Sequence, residues 1–341
     1  MTGEYTRTEI LSQPEVWAAA LRHIQQQAST VRAFCQEGQY DSIVFTGCGS
    51  TYYLAIAAAA MAQQLVRIPA RGVPASEVWL YPDSVYLPGR RTLLVAISRS
   101  GETTETLRAG ESFVAQAQGD FLTLSCYPEK ALAHMGALNL LFPEAQEESI
   151  AQTRAFSTLY LAAVALAVVW AGREDLLAQM EKLTGVGRRL LDTYGDLPAQ
   201  LVQGDSIDRF YFLGSGLRYG LACELSLKMK EMSLSHSEPF HFMEFRHGPM
   251  SMVTPSTLLI GLRSDLNRTQ EQKVLDEMAQ RGARLLVLAE SDAGVEFHSG
   301  VDETVRNVLY LPIGQLVAFE RSLHKSLDPD RPHNLDAVVR L

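Results

Sequence analysis

The chain concentrates side chains able to act on one another in a few short segments. The densest is the run where Glu224, Lys228 and Glu231 stand at i, i+4 and i+7. At about 100° per residue, that spacing puts two carboxylates and an ammonium on one narrow stripe of a helix. On an exposed helix such a stripe is a solvated face with an ion pair. Here Leu221, Ala222, Cys223, Leu225, Leu227, Met229 and Met232 make the helix apolar almost all round, which predicts burial. Buried charges need partners and shift their pKa values, so the stripe is a functional candidate. Beyond it come His236, His241 and His247, the last in Arg246-His247-Gly248-Pro249. No two of these histidines share a helical i,i+4 spacing and no cysteine accompanies them, so no metal is expected, nor any other cofactor. A histidine held before a Gly-Pro turn suits acid–base work, since its unperturbed pKa lies near neutrality.

A different chemistry is offered by Ser98-Arg99-Ser100-Gly101-Glu102-Thr103, which follows the apolar run Leu93 to Ile97 and precedes a helical stretch. Hydroxyls and a glycine at a helix N-terminus gather N–H and O–H donors around one point, which suits a phosphate. The same residues also make an ordinary helix cap, and the segment alone leaves both readings open. Gly47-Cys48-Gly49-Ser50-Thr51 is a G-x-G turn without the third glycine of a dinucleotide fingerprint, because Tyr52 stands in its place. A tight strand-to-helix turn is the better reading, although the Thr51 hydroxyl could join a phosphate cradle.

The elements that position these residues come from a repeat. VFTGCGSTYYLAIA (from Val44) and YFLGSGLRYGLACE (from Tyr211) share Phe45/Phe212, Gly47/Gly214, Gly49/Gly216, Tyr52/Tyr219, Leu54/Leu221 and Ala55/Ala222 at one constant offset. TLLVAISRS (Thr92) then resembles TLLIGLRS (Thr257), GDFLTLS (Gly119) resembles GARLLVL (Gly282), and NLLFP (Asn139) resembles NVLYLP (Asn307). In the second copy, Arg263-Ser264-Asp265-Leu266 puts an acid and a leucine where the first has serine and glycine, so the first copy is expected to hold the anion. Apolar runs such as Ser42 to Thr46, Leu93 to Ile97 and Phe121 to Leu124 alternate with longer helical stretches, as a parallel sheet covered on both faces requires. The expected fold class is α/β, with two tandem doubly wound, flavodoxin-like parallel sheets. The expected divisions are an N-terminal helical segment over 1–39 (helix from Ser12 to Gln36), a first domain over 40–173, a helical connector over 174–204, a second domain over 205–326 and a tail over 327–341. The connector reads as helix from Glu174 to Leu191 and loop to about Asp205, and the proline-punctuated tail, Asp328 to Leu335, as non-helical.

With 341 residues, 47% apolar and 20% charged, the chain is an ordinary globular protein of about two domains. A net charge of −9 disfavours nucleic acid and anionic membrane as partners, and an anionic small substrate needs a local site. Leu159 to Gly172 falls short of the roughly 20 residues that span a bilayer. The N-terminus shows no basic segment followed by an apolar one. Cys35, Cys48, Cys126 and Cys223 form no CxxC pair, as expected of a reduced compartment, and the expected location is cytoplasmic.

ELSLKMKEMSLSHSEPFHFMEFRHGP resembles the pattern E-x-A-L-K-L-K-E-x-S-x-x-H-A-E followed by E-x-x-H-G-P of the double sugar-isomerase (SIS) family. ISRSGET resembles that family's S-x-S-G-E-T phosphate loop, and EESIAQTRAF its E-x-x-V-A-S-T-K-A-F segment. The likeness runs from about Ser42 to Leu335 and is strongest to the isomerase domain of glucosamine-6-phosphate synthases. It implies a phosphorylated sugar as substrate, bound at its phosphate by Thr51, Ser98, Arg99, Ser100 and Thr103, with Arg99 where the synthases have glutamine. It implies that Glu231 moves a proton between C1 and C2, that Lys228 holds hydroxyls or offsets developing charge, and that His247 opens the sugar ring from a neighbouring subunit. The segment around Glu147 and Gln152 is implied to close over the substrate, and the assembly to be a homodimer with composite active sites. Position 2 is threonine and the first copy begins near residue 40, so glutamine-dependent synthesis is not expected. The family usually carries a lysine in the tail, where this chain has Asp336 and Ala337. The resemblance therefore implies an amino-sugar 6-phosphate isomerase/deaminase, like the glucosamine-6-phosphate deaminases. The alternatives are a fructosamine-6-phosphate deglycase and a non-catalytic phosphosugar sensor. The sensor is disfavoured by the lack of a DNA-binding module and by the presence of Glu231 and His247.

Overall fold

Every strand of the first repeat lies parallel to its neighbours, because a helix, or in one case a 3₁₀ turn at Ala131–His134, returns the chain to the same edge between successive strands. The computed structural model describes residues 2–116, 119–203 and 207–339. These fall into two compact units, one of 15–147, 154–181 and 336–341, the other of 1–14, 148–153 and 182–335. Each unit thus takes short segments from outside its own repeat. The expected boundary at 204/205 lies outside the described residues.

Helices α1 (Glu4–Leu11), α2 (Gln13–Gln26) and α3 (Ala28–Glu37) come first. The helical start is therefore at Glu4 and not Ser12. The first-repeat sheet then consists of β1 (Ser42–Gly47), β2 (Ala70–Pro74), β3 (Thr92–Ser98), β4 (Gly119–Ser125) and β5 (Leu138–Leu141), in the order β2-β1-β3-β4-β5. Its helices are α4 (Ser50–Val66), α5 (Ala75–Leu80), α6 (Pro82–Val85), α7 (Thr104–Gln116), α8 (Arg154–Trp170) and α9 (Glu174–Met180). All seven residues of β3 are buried, as its unbroken apolar run requires of a central strand. The lipid-like run of the sequence is α8, whose residues from Ala155 to Trp170 are all buried as a core helix. Among the described residues no helix is long and apolar enough to cross a membrane.

The other unit adds α10 (Leu183–Tyr194), α11 (Leu197–Val202), α12 (Arg218–Ser233), α13 (Arg268–Gln280) and α14 (Leu311–His324). Its strands are β6 (Arg209–Leu213), β7 (His236–Phe240), β8 (Thr257–Leu262), β9 (Arg284–Ala289) and β10 (Val295–Glu296), in the order β7-β6-β8-β9-β10. That is the order of the first sheet strand for strand, so both are the doubly wound arrangement expected from the repeat.

Two expectations fail locally. The stretch after Leu191 is not a loop: α10 runs on to Tyr194, and α11 follows with Pro198 in its first turn, where a missing N–H costs nothing. NLLFP and NVLYLP are not equivalent either. Asn139 lies in β5, whereas Asn307–Tyr310 is a 3₁₀ turn feeding α14, and β10 takes the matching place in the sheet. A short apolar run fits a buried strand or a buried helix equally well, and Pro312 at the start of α14 decides for helix.

The alanine-rich helix α4 lies so close to β2 that a Cβ on Gly72 would sit 2.5 Å from the backbone N of Ile56 and 2.7 Å from the carbonyl carbon of Ala55. Backbone cannot yield as a side chain does. Gly72→Ala is therefore expected to cost about 1–3 kcal/mol of stability, read as a lower thermal midpoint by circular dichroism. An unchanged midpoint would contradict this packing.

Candidate active site

In the first-repeat unit, β3 delivers Ser98 to the C-terminal edge of the sheet and α7 begins at Thr104. The loop between them is tied by its own hydroxyls. Ser98 Oγ accepts from the Gly101 amide at 3.0 Å, Ser100 Oγ accepts from the Glu102 amide at 3.3 Å, and Ser100 Oγ lies 3.5 Å from Thr103 Oγ1. An amide bonded to a serine oxygen uses a lone pair and leaves the hydroxyl proton for another acceptor. Capping and anion binding are thus compatible in this loop. Thr51 is placed differently. Its hydroxyl donates to the Cys48 carbonyl at 3.0 Å and accepts from the Cys48 amide at 2.9 Å, so its proton closes the strand-to-helix turn.

Arg99 turns toward protein acceptors. One Nη is 3.2 Å from the Glu147 carboxylate and the other donates to the Ala337 carbonyl at 3.3 Å. The Glu147 side chain is fully buried and that of Arg99 nearly so. Two residues singled out separately in the sequence are therefore a buried ion pair, with the tail backbone as third member.

In the other unit, α12 buries its charged stripe. Glu224 and Lys228 are 0% exposed, while the Glu231 side chain keeps 19%. The Lys228 ammonium is 3.3 Å from Glu224 and in direct contact with Glu231. Burial works against the lysine charge, yet the two carboxylates outweigh it and hold its pKa above the ordinary lysine value. At neutral pH the ammonium is fixed between two acids.

His247 follows a 3₁₀ turn, Glu244–Arg246, and its amide donates to the Glu244 carbonyl at 2.9 Å. Phe245, fully buried, packs on Tyr211, and Arg246 forms two bonds to Glu277 at 2.9 and 3.1 Å, so the turn is held at two points. Gly248 has φ +122°, a region that L side chains avoid, and this sets His247 on the surface ahead of Pro249. His236 lies on β7, and His241 stacks on Tyr219 with ring centroids 3.8 Å apart.

Gln152 belongs to the segment 148–153 of this unit. Its Oε1 is buried with no hydrogen-bond partner among the described residues, the mark of a polar group awaiting one. The segment is pinned by residues that sequence reasoning missed. The Glu9 carboxylate accepts from the Glu148 amide at 2.6 Å, from the Ser149 amide at 3.3 Å and from the Ser149 hydroxyl. Ile150 donates to the Asp330 carbonyl at 3.2 Å, and the Asp330 carboxylate in turn takes the Thr6 amide and hydroxyl, both at 2.7 Å. Nothing local in the sequence marks Glu9 or Asp330, because their partners are remote along the chain.

The chain matches the SIS domain family over residues 39–169 and 206–295. It is 30% identical over 321 residues to the glutamine–fructose-6-phosphate aminotransferase (isomerizing) of Acidithiobacillus ferridurans, which covers 88% of this chain and 51% of that protein. The chain thus spans about half the length of that relative. In structure it is similar to glucosamine-6-phosphate deaminase from Thermotoga maritima, with a TM-score of 0.84, 26% identity, and coverage of 99% of this chain and 100% of that one. Tagatose-6-phosphate ketose/aldose isomerase from Escherichia coli shares the fold, with a TM-score of 0.87 at 23% identity and coverage of 96% and 95%. Two sheets of one strand order, the phosphate-type loop after β3 and the charged stripe of α12 agree with these likenesses, and the chain belongs to the SIS domain family.

Proposed function

We propose that the protein is a phosphosugar isomerase/deaminase acting on an amino-sugar 6-phosphate. The observation that carries this reading is the buried stripe of α12. A lysine and a glutamate with no exposure are costly to keep charged, and Glu231 is the member of the stripe that retains access to solvent. In this reading the Glu231 carboxylate takes the proton from C2 of the open-chain amino sugar, giving an enolamine, and returns it to C1. Water then hydrolyses the resulting imine at C2 to a ketone and ammonia. Lys228, in direct contact with Glu231, holds that carboxylate in place and offsets the charge that develops on the substrate oxygen. Ser98, Ser100 and Thr103 give their hydroxyl protons to the phosphate. Thr51 shapes the turn beside them, and Arg99, held by Glu147, positions the loop backbone. The buried Oε1 of Gln152 accepts from a sugar hydroxyl or amine.

A second reading, a fructosamine-6-phosphate deglycase, is favoured by one observation. Where relatives of the resembled pattern carry a tail lysine, this chain has Asp336 and Ala337, and the Ala337 carbonyl binds Arg99. A substrate that brings its own amine at C1 has no need of a lysine amine. We place the protein in the cytoplasm, a reading supported by its four free cysteines. We also propose a homodimer in which His247 serves the partner's substrate as ring-opening acid–base group. Its surface position, with Met243 and Met252 exposed at 46% and 52%, supports an interface there.

Glu231→Gln is expected to lower kcat by about 10²–10⁴-fold with phosphosugar affinity nearly unchanged, because the carboxylate acts in the transition state. Ser98→Ala with Ser100→Ala should instead weaken 6-phosphosugar binding in a calorimetric titration. Retention of half the rate in the first variant, or of full affinity in the second, contradicts these roles. For the dimer, mixing Glu231→Gln and His247→Ala protomers should recover part of the activity that each lacks, since one hybrid site then holds both groups. No recovery after proven subunit exchange shows that each site is built from one chain.

A further inference from the structure

The loop after β8, Arg263-Ser264-Asp265-Leu266, leads into α13 much as 98–103 leads into α7. Both use one clasp, a serine hydroxyl accepting from the amide three residues on: Gly101 to Ser98 at 3.0 Å, Asn267 to Ser264 at 3.2 Å. The second loop already holds an anion. The amides of Asp265 and Leu266 donate to Glu303 Oε2 at 2.8 and 3.1 Å, while the Ser264 hydroxyl and Arg218 Nη1 donate to Oε1 at 2.6 and 2.5 Å. Four donors on one carboxylate, from two successive amides, a hydroxyl and the guanidinium of an arginine 4% exposed, make the donor set by which proteins hold phosphate.

We propose that the Glu303 carboxylate is a built-in substitute for a phosphate, closing a second phosphate site so that each chain takes a single phosphosugar. The count of one rests on the reading of 98–103 given above; the closed cradle does not, since every contact in it lies within its own unit. The charges agree with it. Burial alone would raise the Glu303 carboxyl, but the Ser264 hydroxyl, Arg218 and the Leu266 and Asp265 amides hold it below the usual carboxylate value. The neighbouring Glu271, 3.7 Å from the same guanidinium, is pushed up to about 7 by burial. The donors therefore gather the negative charge on Glu303. A carboxylate tethered in the chain faces them at a high effective concentration, so free phosphate does not displace it. Arg218 opens α12, the helix that carries Lys228 and Glu231, so the tethered anion also anchors the start of that helix.

The test uses inorganic phosphate and the full chain carrying Ser98→Ala and Ser100→Ala, in phosphate-free buffer, with Glu303→Ala or Glu303→Gln added. Calorimetric titration should show one phosphate per chain for Glu303→Ala, bound at least about tenfold more tightly than by its own background. Phosphate should also raise that variant's melting temperature. Glu303→Gln, whose side chain still fills the cradle, should gain neither effect. Phosphate binding gained over the background supports the proposal even where the background itself still binds phosphate, a result that counts against the reading of 98–103. A Glu303→Ala chain that phosphate neither binds nor stabilises, or that stays unfolded at saturating phosphate, overturns the proposal, as does equal phosphate binding by Glu303→Gln.

Discussion

The ammonium of Lys228, taken fully out of water and held between two carboxylates of its own helix, is the constraint around which the second-repeat unit is organised. Moving such a group from water costs several kcal/mol, which the carboxylates of Glu224 and Glu231 offset. Apolar residues at these positions could pack α12 as well, so packing gives no reason to retain the stripe. The surroundings hold that helix at several points. Arg218 is bound by Glu303 at its start, Ser226 and Ser237 hydroxyls meet at 3.2 Å in its middle, and Lys325 donates to the Ser233 and Leu234 carbonyls at its end. A helix so tied fixes the position of Glu231, which the proposed proton transfer between adjacent carbons needs.

Duplication supplied two sheets of the same order, and the loops then diverged. After β3, serine oxygens accept from nearby amides and keep their protons to give; after β8, the corresponding donors are taken by an acid from the same chain. In the proposed reading one loop binds an external anion and the other serves as a structural joint. The difference is chemical and not topological, so a reading of the fold alone would assign both loops the same task.

The sequence was informative wherever local pattern and final burial coincide. Strands such as β3 were legible because a strand buried on both faces has to be apolar throughout, and the stripe of α12 because its spacing and its apolar neighbours conflict unless it is buried and paired. Partnership across the chain was not legible. Arg99 and Glu147 were each recognised, but their ion pair joins positions 48 residues apart, and the Ala337 carbonyl that completes it is backbone. Thr51 was noted as a possible donor, yet its proton is spent on a carbonyl three residues before it, a choice set by turn geometry. Glu9, Asp330 and Glu303 gave no signal, since a lone acid reads as surface until the amides it binds are known. NVLYLP misled because apolar runs of that length do not distinguish strand from helix.

The proposed reaction moves a proton between C1 and C2 of a 6-phosphorylated sugar. It is tested most directly by incubating the native protein with glucosamine 6-phosphate and with an N-substituted fructosamine 6-phosphate in D₂O, and following both carbons by NMR. A partly exposed carboxylate exchanges its proton with solvent, so enzyme-dependent deuterium is expected at C1 of the ketose product or at C2 of the aldose product. Carbon-bound hydrogen at C1 and C2 that stays unlabelled in both, with or without turnover, would contradict it.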